Sequence, residues 1–459
     1  MSRLNQVALT ATTASVQLKG VSMAWPQTAE RQNGFATQQL HAGATGVITA
    51  NPRATPIYLS AGFAFDDFDR AGEEFSTGDG YSYTRVSNPT SAAVERRIAV
   101  LERGAEGLLV GSGQAAVAIT LLGLLQAGQH VVSAASIYEG TRGLFLDNLP
   151  RLGIETDFVH DANDPLEWER LIRPTTRALF AESIPNPKND ILDIAAVAAV
   201  ARAHGIPLIV DNTLATPYLL RPIEHGADIV VHSASKFLAG HGAVLGGIIV
   251  DNGRFDAERS GSLFPHLTST GRLGSPSYVE RTGGLARFTY LREVVSMRFG
   301  PTPSPLNAFL INQGIETLSL RVERQSENAL GVARWLEQQP EVHSVDYSGL
   351  ESNPFHALAR RYLPDGQGSV FSFTLRGGLE AARRFVNTLE VFTHMTHLGD
   401  VRSLILHPAT TSHNLRTDDE RSQSGIWPGT LRLSIGIEDL ADLIRDLDRG
   451  LNAVRGDVT

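Results

Sequence analysis

The 459-residue chain contains no cysteine. That absence excludes disulfides, thiolate-bound zinc or iron–sulfur centres, and any cysteine nucleophile. Basic residues are in short supply: 40 Lys and Arg face 49 Asp and Glu, a formal charge of −9. A net acidic surface argues against a nucleic-acid partner, because phosphate contacts need a basic face. Long apolar runs are lacking too. The best uncharged stretch, 107–129, is interrupted by Gly111, Ser112, Gly113, Gln114, Thr120, Gly123 and Gln126, whereas a membrane span needs about 20 mostly apolar residues. Residues 1–30 show no compact leucine-rich segment before a small-residue cleavage site, so they read as a poor secretory signal and cytoplasm is the expected location. What is present, 42% hydrophobic and 19% charged residues, suits a globular chain of two or three domains.

Residues 1–33, rich in Thr, Ala and Gln, read as a flexible extension. Beyond about 108, short apolar runs alternate with helical patterns. Leu108–Val110, Val131–Val132, Ala178–Glu182, Pro207–Asp211, Ile229–His232 and Val244–Val250 read as strands; Ala115–Leu125, Tyr138–Leu152 and Ile194–His204 read as helices. Strands separated by helices predict an α/β fold with a mostly parallel, buried central sheet flanked by helices. Residues 251–300, rich in Gly, Ser, Pro and Arg, read as an insert with more loop than element. Pro301, Pro303 and Pro305 mark a boundary. After it, one long helical stretch (307–339), strand-like "GSVFSFTL", a helix over 379–389 and strand-like "GTLRLSIGIE" predict a smaller C-terminal α+β domain over 301–459. An arm at 34–90 and a large domain at 91–300 complete the division.

In sheets of this kind ligands bind at the carboxyl ends of the strands, so polar residues just past each apolar run are the candidates. Lys236 follows Ile229–Val231 within "HSASKFLAGHG", flanked by Ser233 and Ser235. A lysine in a water-poor cleft can lose its proton and form a Schiff base, and paired hydroxyls suit a phosphate. Asp211 ends the run "PLIVD", where a buried carboxylate needs a partner such as a protonated pyridine nitrogen. Gly113 and Gln114 follow a strand and open a helix, leaving backbone N–H groups for an anion. Tyr83 and Arg85 in "YSYTRVSNPT" can clamp a phosphate, and Tyr138 can stack on a planar ring. Taken singly, each has an ordinary reading: a surface lysine, a capping Asp, a tight turn, a core-edge tyrosine. Together they make the inventory of a pyridoxal phosphate (PLP) site. His407 and His413, six apart, share no helical face, and His241 reads as a packed histidine, so a metal site is not expected.

The string "YSYTRVSNPT … SGQAA … DNTLATPY … HSASK … GHG … HPATTSH … RLSIGIE" resembles the fold-type I PLP-dependent enzymes of cysteine and methionine metabolism, over nearly everything from Gly34 to Leu451. "FATQQLHAG", "HLGDVRSLILHPATTSH" and the insert after "GGIIVDNGRFD" resemble the O-acetylhomoserine sulfhydrylase branch. The resemblance implies that Lys236 carries PLP, Asp211 pairs with its ring nitrogen and Tyr138 stacks on the ring. It implies phosphate contacts from Gly113, Gln114, Ser233 and Ser235, with Tyr83 and Arg85 donated by an adjacent subunit. Asn186 would lie near the ring hydroxyl and Arg432 would grip the substrate carboxylate. The implied activity is γ-replacement on an activated homoserine ester by sulfide or a thiol, in a homo-oligomer, with a dimer of dimers expected. Lys236 and Tyr138 would move the protons. Cystathionine γ-synthase, a γ-lyase and an O-succinylhomoserine sulfhydrylase share that pocket and stay open as alternatives. Two departures from the family pattern bear on the substrate. Glu139 precedes Gly140 where two glycines are usual, and His397 replaces an asparagine or serine beside the substrate carboxylate.

Overall fold

A computed structural model describes residues 33–43, 52–77 and 80–456; apart from Asn33, the extension expected over 1–33 lies outside them. The larger sheet comprises β1 (Glu106–Val110), β2 (His130–Ala134), β3 (Glu155–Val159), β4 (Thr176–Glu182), β5 (Leu208–Asp211), β6 (Ile229–Ser233) and β7 (Gly247–Asp251). Their order is β1-β7-β6-β5-β4-β2-β3. Strands β2 to β6 pair in parallel, while β7 is antiparallel to both neighbours. The expected parallel sheet is therefore present with one reversed strand. Val131, Phe180, Ile209, Val230 and Ile249 are fully buried within it, as expected where helices cover both faces. The edge strand β3, "ETDFV", carries exposed and half-buried polar residues, which is why no apolar run announced it.

Several expected elements are corrected. The helix expected over 138–152 breaks into Glu139–Gly143, a wide turn at Leu144–Asn148 and a tight one at Pro150–Leu152, because Pro150 has no N–H to continue the ladder. The insert 251–300 is not mainly loop. It forms short helices at Ala257–Ser260, Pro265–Thr268, Tyr278–Thr282 and Ala286–Tyr290, the last continuing in wider turns to Phe299. Asp256 and Ser277 cap two of these with their side chains. Buried Ala286, Phe288, Leu291 and Val295 join the main core. Arg287 anchors the insert to β7 through Asp251 at 2.6 Å, with both side chains almost fully buried. The long C-terminal helix divides at Glu316–Thr317 into Pro305–Ile315 and Leu318–Glu337.

The smaller sheet holds β8 (Val342–Asp346), β9 (Val370–Leu375), β10 (Thr393–His394), β11 (Leu404–Leu406) and β12 (Thr430–Ser434), in the order β10-β11-β12-β9-β8. Phe371, Phe373, Phe385, Leu431, Leu433 and Leu447 form its core. Removing one partner of a buried ion pair strands the other charge. Asp251→Ala is therefore expected to destabilise the protein by about 3–5 kcal/mol, read as a lowered urea midpoint with an unchanged slope.

Candidate active site

The carboxyl ends of β4, β5 and β6 bring charged groups to one edge of the larger sheet. Register sets Glu182 opposite Asp211, and Asp211 opposite Val231. Lys236 lies three residues past β6, in a turn closed by the Gly240 N–H donating to the Lys236 carbonyl at 2.7 Å. Gly240 has φ +74°, and a Cβ there would collide with the Arg321 guanidinium, so the turn requires glycine. Arg321 is itself held by donation to the Phe237 and Gly314 carbonyls at 2.8 and 2.6 Å.

Burial, with the positive charge of Arg432 adding to it, pushes the Lys236 ammonium down to about 8. Its Nζ lies 3.2 Å from His397 Nδ1. Burial, then the charge of Lys236, pushes the His397 imidazole down to about 4, which keeps that ring neutral near neutral pH. Asp211 is raised above the usual carboxylate range by burial, partly offset by Thr213, whose backbone N–H donates to Oδ1 at 2.9 Å. Glu182 is raised by burial first and by the neighbouring Asp211 second, and accepts the Tyr138 N–H at 2.6 Å. A cationic ring nitrogen placed against Asp211 would offset the cost of two buried carboxyls at adjacent strand ends that have no ion-pair partner among the described residues. Tyr138 is 48% exposed, so a face of its ring is open for stacking.

An anion site adjoins this cluster. The 12-residue helix Gly113–Leu124 is capped by Ser112, whose hydroxyl accepts from Ala115 N. Its first N–H groups, at Gly113 and Gln114, have no carbonyl within the helix to bond. A Cβ on Gly113 would come 2.7 Å from Ser233 Cβ and 3.1 Å from its hydroxyl, so Ser233 stands directly beside the helix start. That cradle suits a phosphate. The Gln114 side chain is engaged within the chain, donating to the Gly140 carbonyl at 2.9 Å and accepting from Thr141 at 3.1 Å, which leaves its backbone N–H for an anion. The Ser235 hydroxyl donates to Gly246 O at 3.3 Å and accepts from Gly246 N at 3.0 Å, so its proton is committed within the chain.

Arg432, 2% exposed, projects from β12 and ties the two sheets together. It donates to Asn186 Oδ1 at 3.2 Å and to the carbonyls of Thr396 and His397 at 3.1 and 2.9 Å. Burial pushes its guanidinium down to about 10, so it is still charged at neutral pH. Among the described residues no carboxylate forms an ion pair with it, and its Nε is buried without a partner. A buried, uncompensated guanidinium is the arrangement that a substrate carboxylate would complete.

Among the described residues, no hydrogen bond, ion pair or ring contact joins Tyr83 and Arg85 to this cluster. Arg85 lies over the Tyr83 ring, 5.7 Å from its centroid, and its guanidinium donates to the Met297 carbonyl. Glu139, the residue standing in the place of a glycine, binds the Arg416 guanidinium, with His413 Nε2 3.8 Å away. His413 is pushed down to about 3 by burial and then by Arg416 and Arg432. His407 bonds to Thr410 and the Pro428 carbonyl, and His241 to the Ala239 carbonyl. Glu182, Thr213 and Arg416 were not singled out from the sequence. The rule that selected Asp211, a charge ending an apolar run, would also have selected Glu182.

The profile of the Cys/Met metabolism PLP-dependent enzyme family matches residues 36–452. The chain belongs to that family: it is a PLP-dependent enzyme built on the type I fold. It is 41% identical over 436 residues to the O-acetyl-L-homoserine sulfhydrylase of Corynebacterium glutamicum, covering 92% of this chain and 98% of that one. It is also 41% identical to the homocysteine synthase of Schizosaccharomyces pombe, covering 91% and 98%. An O-acetylhomoserine (thiol)-lyase structure from Campylobacter jejuni, which carries a pyridoxyl-lysine phosphate, superposes with a TM-score of 0.86 at 35% identity, covering 92% and 100%. The cystathionine gamma-lyase of Lactobacillus plantarum, complexed with L-serine, gives 0.78 at 33%, with the same coverage. The glycine at 113 lets Ser233 and the helix start approach one another. Gly113→Ala is expected to weaken PLP retention about tenfold or more, measured by dialysis of the holoenzyme against PLP-free buffer.

Proposed function

We propose that the enzyme catalyses γ-replacement on O-acetylhomoserine, converting it with sulfide to homocysteine and acetate. The observation that carries this reading is the buried Arg432, without a counter-charge among the described residues, one residue contact away from a lysine whose ammonium is lowered to about 8. The names of relatives 41% identical over nine-tenths of the chain supply the ester and the nucleophile. In this reading Lys236 carries PLP through Nζ, and the Asp211 carboxylate faces the ring nitrogen. Tyr138 covers the ring, and Gly113, Gln114 and Ser233 bind the phosphate, with Ser235 supporting that turn through Gly246. When bound, PLP supplies an electron sink for charge released at the substrate Cα.

The protein's own groups then have defined work. Arg432, anchored by Asn186 and two carbonyls, orients the amino acid through its carboxylate. Lys236, with its amine free, moves protons at Cα and Cβ: it takes them so that acetate can leave from Cγ with the electrons of the broken C–O bond, and returns them once sulfide has added at Cγ. Its affinity for protons, down to about 8, lies near working pH, which suits a group that must both take and give. Tyr138 assists one transfer. Tyr83 and Arg85 serve the phosphate of a second copy, which requires at least a dimer; a dimer of dimers and a cytoplasmic location are separate parts of the same reading. The arm at 34–90, the large domain at 91–300 and the C-terminal domain at 301–459 are the units this reading uses.

Replacing Lys236 with Ala is expected to abolish turnover while leaving the circular dichroism spectrum unchanged. Full activity in that variant rejects the assignment. Homocysteine should form from sulfide faster with the acetyl than with the succinyl ester; ammonia and a keto acid released without sulfide would mark a lyase instead. In Arg432→Lys, loss of the fixed fork is expected to raise KM about tenfold or more, seen in steady-state kinetics.

A further inference from the structure

His397 departs from the residue types expected at its position, and it is the side chain that touches Lys236. Its Nδ1 lies 3.2 Å from Lys236 Nζ. Its own carbonyl, not its ring, accepts from Arg432 at 2.9 Å, so ring and backbone have separate tasks. Nε2 is buried and has no hydrogen-bond partner among the described residues. These facts select one tautomer. The lysine ammonium offers only donors, so against it Nδ1 is the acceptor and the single ring proton resides on Nε2.

We propose that His397 is a positioning residue for Lys236, its Nδ1 accepting an N–H of the lysine head group and its Nε2–H turned to an oxygen of the bound amino acid. The charged groups facing the imidazole are Lys236, Arg432, Arg402 and Asp400. Three of these are cations, and together with burial they keep the ring uncharged, with its proton affinity at about 4. Lys236 stands at about 8. A proton on the lysine therefore does not pass to the imidazole, and His397 acts as an acceptor and not as a base. Acceptance of an N–H favours the ammonium over the free amine. In the catalytic cycle the released lysine would otherwise be a flexible chain with four rotatable bonds; the imidazole holds its head at one place. The Nε2–H is a buried donor in search of an acceptor, and a substrate oxygen supplies one. This second half rests on the proposed function, whereas the first half requires PLP alone.

Two substitutions separate the two nitrogens. His397→Asn places an amide oxygen near the position of Nδ1 and removes the distal donor. His397→Gln reaches the position of Nε2 and removes the acceptor near Lys236. The full-length protein is stripped of PLP, and the rate of PLP capture is followed by absorbance against pH. Capture requires the neutral amine, so the rate should rise with a midpoint near the value of about 8 for Lys236. In His397→Gln and His397→Ala the midpoint is expected to fall by about half a unit or more, because the ammonium loses its acceptor. In His397→Asn it should stay within about 0.2 units of the parent. In the holoenzyme, His397→Asn should raise KM for the amino acid, and His397→Gln should lower kcat, each about tenfold. A midpoint unmoved, or moved upward, in the Gln variant overturns the positioning role. If Ala fails to fold, Gln alone decides, since the Arg432 grip uses the backbone carbonyl in every variant. PLP capture involves no substrate, so a wrong ester changes the KM result and leaves the midpoint result standing.

Discussion

The site depends on the parallel pairing of three strands that all end at the same edge of one sheet. Parallel register fixes Glu182, Asp211 and the residues leading to Lys236 side by side. The outcome is an edge where charges are held without mutual neutralisation. Two carboxyls are raised by burial, a lysine is lowered by burial, and a guanidinium has only neutral partners. Each costs folding free energy, and each is relieved by a ligand of matching charge. A cationic ring nitrogen, a phosphate and an amino-acid carboxylate are the complementary set.

The second requirement is that two sheets meet there. Lys236 comes from the larger sheet and His397 from the loop between β10 and β11 of the smaller one. Arg432 on β12 reaches Asn186, just beyond β4. The smaller sheet thus places Arg432, the cation that adds to burial in lowering Lys236, and the larger sheet places the carboxyls. Glu139 and Arg416 form a further link across the same gap. That pairing gives a physical role to the residue that stands in place of a glycine: it ties the segment after Tyr138 to the segment after β11.

Much of this was legible in the residues. Buried parallel strands are continuous apolar runs, so β4, β5 and β6 could be read directly, and the polar residues ending them followed. Lys236, Asp211, Gly113 and Arg432 were found in that way or through the motif resemblance. Elements with mixed surfaces were harder. β3 is an exposed edge strand with acidic residues, and the insert hides its helices behind capping Ser and Asp, glycines and prolines. A composition that reads as loop there supplies caps and stops for short helices, whose apolar residues Ala286, Leu291 and Val295 dock on the main core.

The chain order of strands, helices and glycine turns determined the sheet, the carboxyl edge and the residue types presented at it, because those depend on local periodicity and on which residues can take a given backbone shape. Which nitrogen of His397 meets Lys236, whether Gln114 offers its side chain or its backbone, and which hydroxyl is already engaged were decided only by the packed structure. Those are questions of direction across gaps of 11 to 161 residues in sequence. No local pattern encodes them, since a side chain's partner depends on the rigid placement of an element that it has not yet met along the chain.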